Sequence, residues 1–339
     1  MHGLAMPRID YSIRPAKSVE RKMLAEALSR LSKLERPDNY RYVGFGAIYF
    51  RDFSLFHKML GIHDMKSIEH NRSEETRFWS NRPFRCVEML FGHSRVELPK
   101  AGLDEKKTIV WLDYERQLSL DVLKDVEFFC TQALAGSVLI VSLNAQTTSE
   151  DEDEDTDSSE EETSVLDHEP SVKAEKPTPL ELLRKRLPGN VPIAIKGSDL
   201  AGWGTARLFR VIVENKIQEI LMVRNGGLEA AQSIKYKVLF DFHYADGAKM
   251  VTVGAIIYDD TQGPAVTACA FEELSYCNPA NHPFRIPTPR LTYKERRSLD
   301  ASLPLGEFTQ VNPKGIPSKD VAEYTKVYRY FPNFAETDI

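Results

Sequence analysis

Over the first 145 residues, segments whose apolar positions have helical spacing alternate with short apolar runs typical of strands. Apolar residues recur every three or four positions between residues 16 and 34, which predicts a first helix. Further segments at 52–60, 74–81 and 118–134 have helical patterns and separate five short apolar runs. Because strands joined by helix-length connections usually run parallel, the pattern predicts a parallel α/β sheet. The predicted strands are 40–43, 65–69, 84–91, 108–113 and 137–143.

The pattern resumes after residue 178 with two helices, predicted at 179–187 and 205–221, followed by two β-rich runs. The runs, 234–244 and 250–258, are joined through Asp246-Gly247, a strong hairpin signal. A nicotinamide-type Rossmann domain continues with a sixth parallel strand. A terminal antiparallel hairpin instead predicts the seven-stranded Rossmann-like sheet of methyltransferases. The last 80 or so residues are proline-rich, and Thr292-x-x-Glu295 predicts one helix by its capping box.

The net charge of −6 is concentrated in one run, EDEDEDTDSSEEE at 150–162. Removing its ten negative charges leaves a remainder of +4, so the rest of the chain is mildly basic. A run of like charges cannot bury apolar surface, which predicts a disordered acidic insertion. It is interpreted as a solvated insert or as an electrostatic gate over a basic surface. The predicted domain boundaries follow: 1–145 and 178–260 form the core, 146–177 the acidic linker and 261–339 an irregular C-terminal extension.

The composition, 42% hydrophobic and 28% charged, excludes collagen-like, fully disordered and disulfide-scaffold classes. No apolar run reaches the roughly 18 residues of a membrane span, and the N-terminal segment lacks the apolar stretch of a signal peptide. A cytoplasmic protein without a membrane segment is therefore expected. The four cysteines are widely spread with no CxxC pair, so the spacing predicts reduced thiols and no metal site.

A glycine turn follows the first predicted strand and contains Gly44, Phe45, Gly46 and Ala47. Glycine lets the backbone turn tightly and approach a ligand, and the next helix offers free N–H groups. A single GxG is equally consistent with a structural turn. Its position after the first strand of a parallel sheet favours ligand binding.

Acidic residues end two other strands. Glu69 lies 23 residues after Gly46, the spacing at which a carboxylate accepts ribose hydroxyls, although an exposed strand-end carboxylate is the alternative. Asp113 and Tyr114 end the fourth strand, where a substrate and a cofactor would meet. Asp113 is the candidate general base, and its alternative role is to cap the next helix.

Cations occur near both ends of the chain. Arg14, Lys17 and Arg21 lie around the start of the first helix and could clamp a carboxylate or phosphate. Five more lie between residues 283 and 297, which suits a phosphate backbone or an ordinary solvated helix face.

Four segments together resemble bacterial O-methyltransferases of the S-adenosylmethionine-dependent superfamily, and distantly the three-Cys-motif partner proteins. The segments are YVGFGAIYFRDFSLFHKMLGI, SIEHN, NRPFRCVEMLFG and TIVWLDYE. The resemblance implies that residues 44–47 hold the methionine part of the cofactor, that Glu69 binds its ribose, and that Asp113 with Tyr114 faces the methyl group. Tyr42 stands where the superfamily has an acidic residue, and Ile48 where it often has a third glycine. Arg14 or Lys17 is therefore expected to supply the methionine-end contact.

The leading hypothesis is an S-adenosylmethionine-dependent methyltransferase acting on an oxygen or nitrogen. The acceptor is a small molecule, a nucleic acid or a protein, and the Asn/Asp-Pro-Pro-aromatic signature of adenine-N6 enzymes is absent. A second hypothesis is an inactive nucleotide-sensing or interaction subunit of a multi-protein system, such as a defence system, with a protein partner bound through the acidic insertion. A nicotinamide oxidoreductase is the third hypothesis, disfavoured by the hairpin.

Overall fold

One mixed sheet of eight strands forms the centre of the protein. The computed structural model describes residues 14–147, 176–277, 282–304 and 315–333. The strand order is β3-β2-β1-β4-β5-β7-β6-β8, and β1 to β5 pair in parallel. The predicted parallel sheet is therefore confirmed. The strands are β1 Arg41–Gly44, β2 Asp64–Glu69, β3 Val87–Phe91, β4 Thr108–Asp113, β5 Val138–Asn144, β6 Lys235–Asp246, β7 Ala248–Tyr258 and β8 Phe284–Arg285.

The predicted terminal hairpin is also confirmed. β6 and β7 are antiparallel and are joined at Gly247, whose φ of +101° suits a glycine in a tight turn. β7 lies antiparallel to β5, so the reversed strand is next to the fifth, as predicted. The predicted number of seven strands is corrected to eight. The additional β8 pairs with β6 over only two residues and falls in the extension that was expected to be irregular.

Ten α-helices surround the sheet within the described residues. α1 ends at Ser29 and continues as a 3₁₀ turn over Arg30–Lys33, which together cover most of the predicted first helix. α9 begins after the predicted capping box of Thr292 and Glu295. The helices are α1 Pro15–Ser29, α2 Arg51–Leu60, α3 Glu75–Asn81, α4 Ser94–Glu97, α5 Leu120–Gln132, α6 Pro179–Arg186, α7 Gly204–Arg224, α8 Gly263–Ala268, α9 Tyr293–Asp300 and α10 Ser318–Val327.

Strand β3 is shorter than predicted, because its first three predicted residues form a turn. The carbonyl of Phe84 accepts a hydrogen bond from the backbone N–H of Val87 at 3.2 Å. Pro83, just before the turn, has no N–H to donate to a neighbouring strand. The apolar residues at 84 and 86 therefore pack beside the sheet rather than within it.

Two hydrophobic layers cover the sheet. One contains apolar residues of α1 and α2 together with Val327 and Tyr330 near the C-terminus. The other contains the apolar faces of α5 and α7. Residues of the predicted extension thus pack in the same core as α1, while the domain boundaries themselves stay a prediction.

Two further predictions concern the acidic run and the membrane. The run at 150–162 lies outside the described residues. Among the described helices, none combines the length and the apolar character needed to cross a bilayer.

Candidate functional site

The predicted site residues converge because their strands are neighbours. β1 lies between β2 and β4, so the carboxyl ends of these three parallel strands share one edge of the sheet. Gly44 ends β1, Glu69 ends β2 and Asp113 ends β4. Open α/β sheets bind their ligands outside this edge. We call it the carboxyl edge.

The glycine turn is bonded directly to β2. The backbone N–H of Gly46 lies 2.9 Å from Glu69 Oε1 and 3.0 Å from Ser67 Oγ. A Cβ at Gly46 would lie 2.4 Å from the Phe50 ring and 2.7 Å from Ser67 Oγ, closer than side chains can approach. Ala47, next in the turn, has a left-handed φ of +44°. A non-glycine residue in that region costs about 1 kcal/mol or more, so the turn is both tight and strained.

Glu69 is a buried carboxylate with an altered pKa. Only 6% of the residue is exposed, and burial raises its pKa to about 7. Hydrogen bonds from the Ser67 hydroxyl, at 2.7 Å, and from Gly46 stabilise the ionised form and offset part of this effect. The side chain therefore exchanges a proton near neutral pH, next to the turn.

A carboxylate from α2 contacts Tyr42, the residue that stands where the methyltransferase superfamily has an acidic one. The hydroxyl of Tyr42 donates a hydrogen bond to the carboxylate of Asp52, and both residues are buried. Burial raises the pKa of Asp52, whereas the Tyr42 hydrogen bond and the positive charge of Arg21 lower it. Sequence reasoning missed Asp52. The available signal was an acidic residue in the first turn of α2, beside Phe53 and one turn before Phe56.

Lys17 is buried between two carboxylates. Its Nζ lies 2.7 Å from Glu20 Oε2 and 2.7 Å from Asp113 Oδ1, and it donates to the Tyr244 hydroxyl at 3.1 Å. It also lies 4.6 Å from the centre of the Trp111 ring. Burial raises the pKa of Glu20, and the charge of Lys17 opposes that effect. Lys17 is thus already paired with two carboxylates of the chain.

The start of α1 is fixed by the hairpin turn. The Asp246 carboxylate accepts hydrogen bonds from the backbone N–H groups of Ala16, at 3.2 Å, and Lys17, at 2.9 Å. Burial raises the pKa of Asp246, and the nearby charge of Arg14 lowers it. Arg14 is the N-cap residue of α1, and it lies near Asp246 of the hairpin turn at the carboxyl edge.

Arg21 is a second basic residue of α1 at this edge. Its charge acts on Tyr42, Asp52 and Tyr244. Its Nε is buried and has no hydrogen-bond partner. A buried donor without a partner is costly, which suits a position where a ligand oxygen completes the hydrogen bond.

Tyr114 joins the glycine turn to α5. Its hydroxyl donates to the Asp125 carboxylate, which also accepts from the Ser94 hydroxyl at 2.5 Å. Its ring lies 5.1 Å from the Phe45 ring in an edge-to-face arrangement. Asp125 and Ser94 were not singled out by sequence reasoning. They give Tyr114 a fixed position beside the turn.

The residues at the edge fit a ligand with hydroxyl groups at one end and a carboxylate at the other. The Glu69 carboxylate can accept hydrogen bonds from ligand hydroxyls. Because it is buried, such hydroxyls would replace the water that its ionised form lacks. The unpartnered Nε of Arg21 can bind an anionic group. Asp113, with its side chain 24% exposed, is open to a second molecule.

Comparison with solved structures gives several distant likenesses. Cofactor-bound Rv0187 from MTB matches with 12% identity and a TM-score of 0.35, over 76% of this chain and 85% of that one. CalS10 from Micromonospora echinaspora, an amino pentose methyltransferase with bound S-adenosylmethionine, matches with 16% identity and a TM-score of 0.27, over 36% and 48%. A complex between the Haloferax volcanii Trm112 methyltransferase activator and a protein described as a "putative methyltransferase" matches with 15% identity and a TM-score of 0.29, over 38% and 56%. The match thus spans about half the length of the last two structures.

Sequence comparison gives a family. No curated protein matches the chain. A family profile described as "Putative O-methyltransferase" matches residues 9–339, which includes all of the described residues. The resemblance found in the sequence is therefore confirmed at the level of the family, while the likeness to three-Cys-motif partner proteins stays a prediction. The chain belongs to this O-methyltransferase family.

Proposed function

We propose that the chain transfers a methyl group from S-adenosylmethionine to an oxygen or nitrogen acceptor. The observation that carries the proposal is the contact between Gly46 and Glu69. It joins a tight glycine turn to a buried carboxylate at the edge where this fold binds nucleosides. The acceptor in this proposal is a small molecule, a nucleic acid or a protein.

The chain's own residues would bind and orient the cofactor. Glu69 accepts hydrogen bonds from the ribose hydroxyls, and residues 44–47 lie along the methionine part. Arg21, with a buried Nε that lacks a partner, binds the methionine carboxylate together with Arg14. The cofactor supplies an electrophilic methyl group on its sulfonium sulfur.

Asp113 is the proposed general base. Its carboxylate ends β4 and is partly exposed, so it can accept the proton that an acceptor hydroxyl or amine loses on methylation. Lys17, at 2.7 Å, orients this carboxylate. Tyr114, fixed by Asp125, contributes a wall beside the reacting groups.

An inactive nucleotide-sensing or interaction subunit is the second candidate. The specific observation in its favour is that Asp113, the proposed general base, is already paired with Lys17 within the chain. In this candidate the acidic run at 150–162 binds a basic protein partner. Cofactor binding without turnover distinguishes the two candidates.

Calorimetry of the purified protein against S-adenosylmethionine, S-adenosylhomocysteine and NAD tests the proposal. We expect micromolar binding of the sulfonium cofactor and its product. Glu69→Ala should weaken it by roughly 10- to 100-fold, since a hydrogen bond to a charged group is worth about 1.5–3 kcal/mol. Glu88→Ala, which removes an exposed carboxylate of β3, is the matched control and should bind normally.

The same titrations can contradict the proposal. Binding of NAD alone would contradict it, and so would cofactor binding that is identical in Glu69→Ala. Binding followed by no methyl transfer to nucleic acid, protein and metabolite pools would favour the interaction subunit. Circular dichroism of each variant separates a lost contact from a lost fold.

A further inference from the structure

Three metal-ligand side chains meet at the opposite edge of the sheet. His57 lies in the last turn of α2, His63 just before β2, and Cys86 just before β3. One ligand atom from each residue lies within 4.8 Å of those of the other two. Within the described ranges, no other group of three His, Cys, Asp or Glu side chains meets this criterion. We call these residues the amino-edge cluster.

The contacts of His57 orient its ring for a ligand. Its Nδ1 lies 2.8 Å from the carbonyl oxygen of Ile62. A carbonyl can only accept, so Nδ1 carries the proton and Nε2 keeps its lone pair. Metal-binding histidines commonly donate their other ring N–H to a carbonyl or carboxylate in this way. The ring also packs against Phe84, at 4.1 Å between ring centres, which limits its rotation.

The other two members approach His57 from different loops. Cys86 Sγ lies 3.7 Å from His57 Nδ1, the ring nitrogen that donates to Ile62, so this distance shows proximity and is not itself a ligand–ligand spacing. The His63 ring centre lies 5.0 Å from that of His57. Zinc bonds of about 2.0–2.3 Å imply ligand atoms roughly 3.3–3.8 Å apart in a tetrahedral site. Because the three ligand atoms lie within 4.8 Å of one another, their spacings have to close by at most about 1 Å to reach the upper end of this range. His63 is exposed and can turn to provide this movement.

We propose that His57, His63 and Cys86 bind one Zn²⁺ ion, with a water molecule in the fourth position. Two imidazoles and one thiolate are the donor types that zinc prefers, and the exposure of His63 leaves one side open to solvent. On binding, the Cys86 thiol loses its proton to solvent and its sulfur forms the bond to the metal.

The position in the fold indicates what the ion does. The cluster lies at the amino ends of β2 and β3, while Glu69 lies at the carboxyl end of β2. A six-residue strand separates the two edges by roughly 17–20 Å. The ion therefore ties α2, β2 and β3 together away from the methyl-transfer site. We expect it to raise the melting temperature and leave cofactor affinity unchanged.

Linear spacing could not reveal this cluster, because its ligands come from three separate segments. The alternative is that the Nδ1–H of His57, which donates to Ile62, makes only a weak additional hydrogen bond to the Cys86 sulfur. In that case the protein has no particular affinity for zinc. The two possibilities differ in metal stoichiometry and in the absorption spectrum of the cobalt form.

The experiment uses the full chain, freed of metal with a chelator and titrated with Zn²⁺ in competition with a chromophoric chelator. We expect saturation at one equivalent. Co²⁺ in place of zinc should show thiolate-to-cobalt charge-transfer absorption, which is lost in Cys86→Ser. Since losing an outer-shell partner costs metal sites roughly 10- to 100-fold in affinity, loss of the direct ligand in His63→Gln should cost at least as much.

A second histidine pair provides the matched control. The rings of His70 and His93 lie 5.8 Å apart, and His70→Gln should leave zinc affinity unchanged. His63 and His70 are both exposed, so neither substitution threatens the fold. Absence of saturable binding, a cobalt spectrum without the thiolate band, or equal loss in His70→Gln would overturn the proposal.

Thiol labelling gives an independent readout. Cys86 is half-buried, whereas the other three cysteines are buried. A thiol reagent should therefore modify Cys86 first, and Zn²⁺ should protect it. Labelling of Cys86 at the same rate with and without zinc would contradict the site.

Discussion

The polar side chains at the two edges of the sheet differ in how deeply they are buried. At the carboxyl edge, Lys17 and Glu20 are 2% and 0% exposed, and their partners lie far along the chain at Asp113 and Thr252. At the amino edge, His57 lies in the last turn of α2 and His63 and Cys86 lie in loops, and all three are half-buried or exposed. One edge buries full charges, whereas the other holds groups that can remain neutral.

This difference determines what each edge contributes to stability. Buried charges must be paired, because removing one partner leaves the other desolvated. Groups in half-exposed loops can be hydrated by water when they lose a partner. We therefore expect substitutions at the carboxyl edge to change folding and those at the amino edge, in the absence of metal, to change it little.

Lys17→Met should have the largest effect. It removes the cation shared by Glu20 and Asp113, and breaking a buried ion pair costs about 3–5 kcal/mol. Urea denaturation would measure the loss in the free energy of unfolding. Adding Glu20→Gln should restore part of it, because the second change removes the buried charge left without a partner.

The controls for this prediction come from the surface and from the amino edge. Lys58→Met removes an exposed lysine of α2, and His63→Gln removes an exposed member of the amino-edge cluster. Each should change stability by no more than about 0.5 kcal/mol in metal-free buffer. A Lys17→Met protein as stable as Lys58→Met would contradict the contrast between the edges.

Glu69→Gln should remove a pH dependence from the carboxyl edge. Because burial raises the pKa of Glu69 to about 7, the folded protein binds a proton that the unfolded chain releases near pH 4.5. Stability from this group is complete below pH 4.5 and is lost as the pH rises through 7. The loss amounts to about 3 kcal/mol.

Denaturation at pH 5 and pH 8 tests this prediction. The difference between the two values should be smaller in Glu69→Gln than in the parent protein, since the amide can still accept from Gly46 but does not titrate. Glu88→Gln, at an exposed position of β3, should leave the difference unchanged. An unaltered difference in Glu69→Gln would show that this carboxyl does not couple to folding.

Gly46→Ala should have a smaller effect on stability, of about 1–3 kcal/mol. Its Cβ would overlap the Phe50 ring and the Ser67 hydroxyl, and the turn would have to shift. Gly263→Ala is the control, since a Cβ there meets nothing within 4 Å. The melting temperatures of the two variants should differ. Equal melting temperatures would mean that the turn accommodates the new Cβ without a loss of stability.

The sequence predicted the order of the secondary structure well. Apolar periodicity gave the five parallel strands, and Asp246-Gly247 gave the hairpin that places β7 beside β5. It also placed the glycine turn, Glu69 and Asp113 at the ends of strands that the structure shows to be neighbours. These features depend on local spacing and chain connectivity, which a single sequence displays directly.

Local spacing did not predict the contacts between residues on different elements of the fold. Tyr42 was read as the loss of an acidic residue, yet Asp52 brings a carboxylate to its hydroxyl. Arg14 or Lys17 was expected to bind the ligand carboxylate, which stays a prediction, and the sequence did not show that Lys17 lies between Glu20 and Asp113. Both pairings depend on how α1 and α2 pack on the sheet.

The sequence by itself therefore determined the fold class, the family resemblance and the strand ends at which to look for a site. Only the tertiary structure decided which charges neutralise each other and that His57, His63 and Cys86 meet. The physical reason is distance. Helix and strand periodicity arises from neighbours a few residues apart, whereas ion pairs and metal sites join segments tens to hundreds of residues apart, and only packing brings those together.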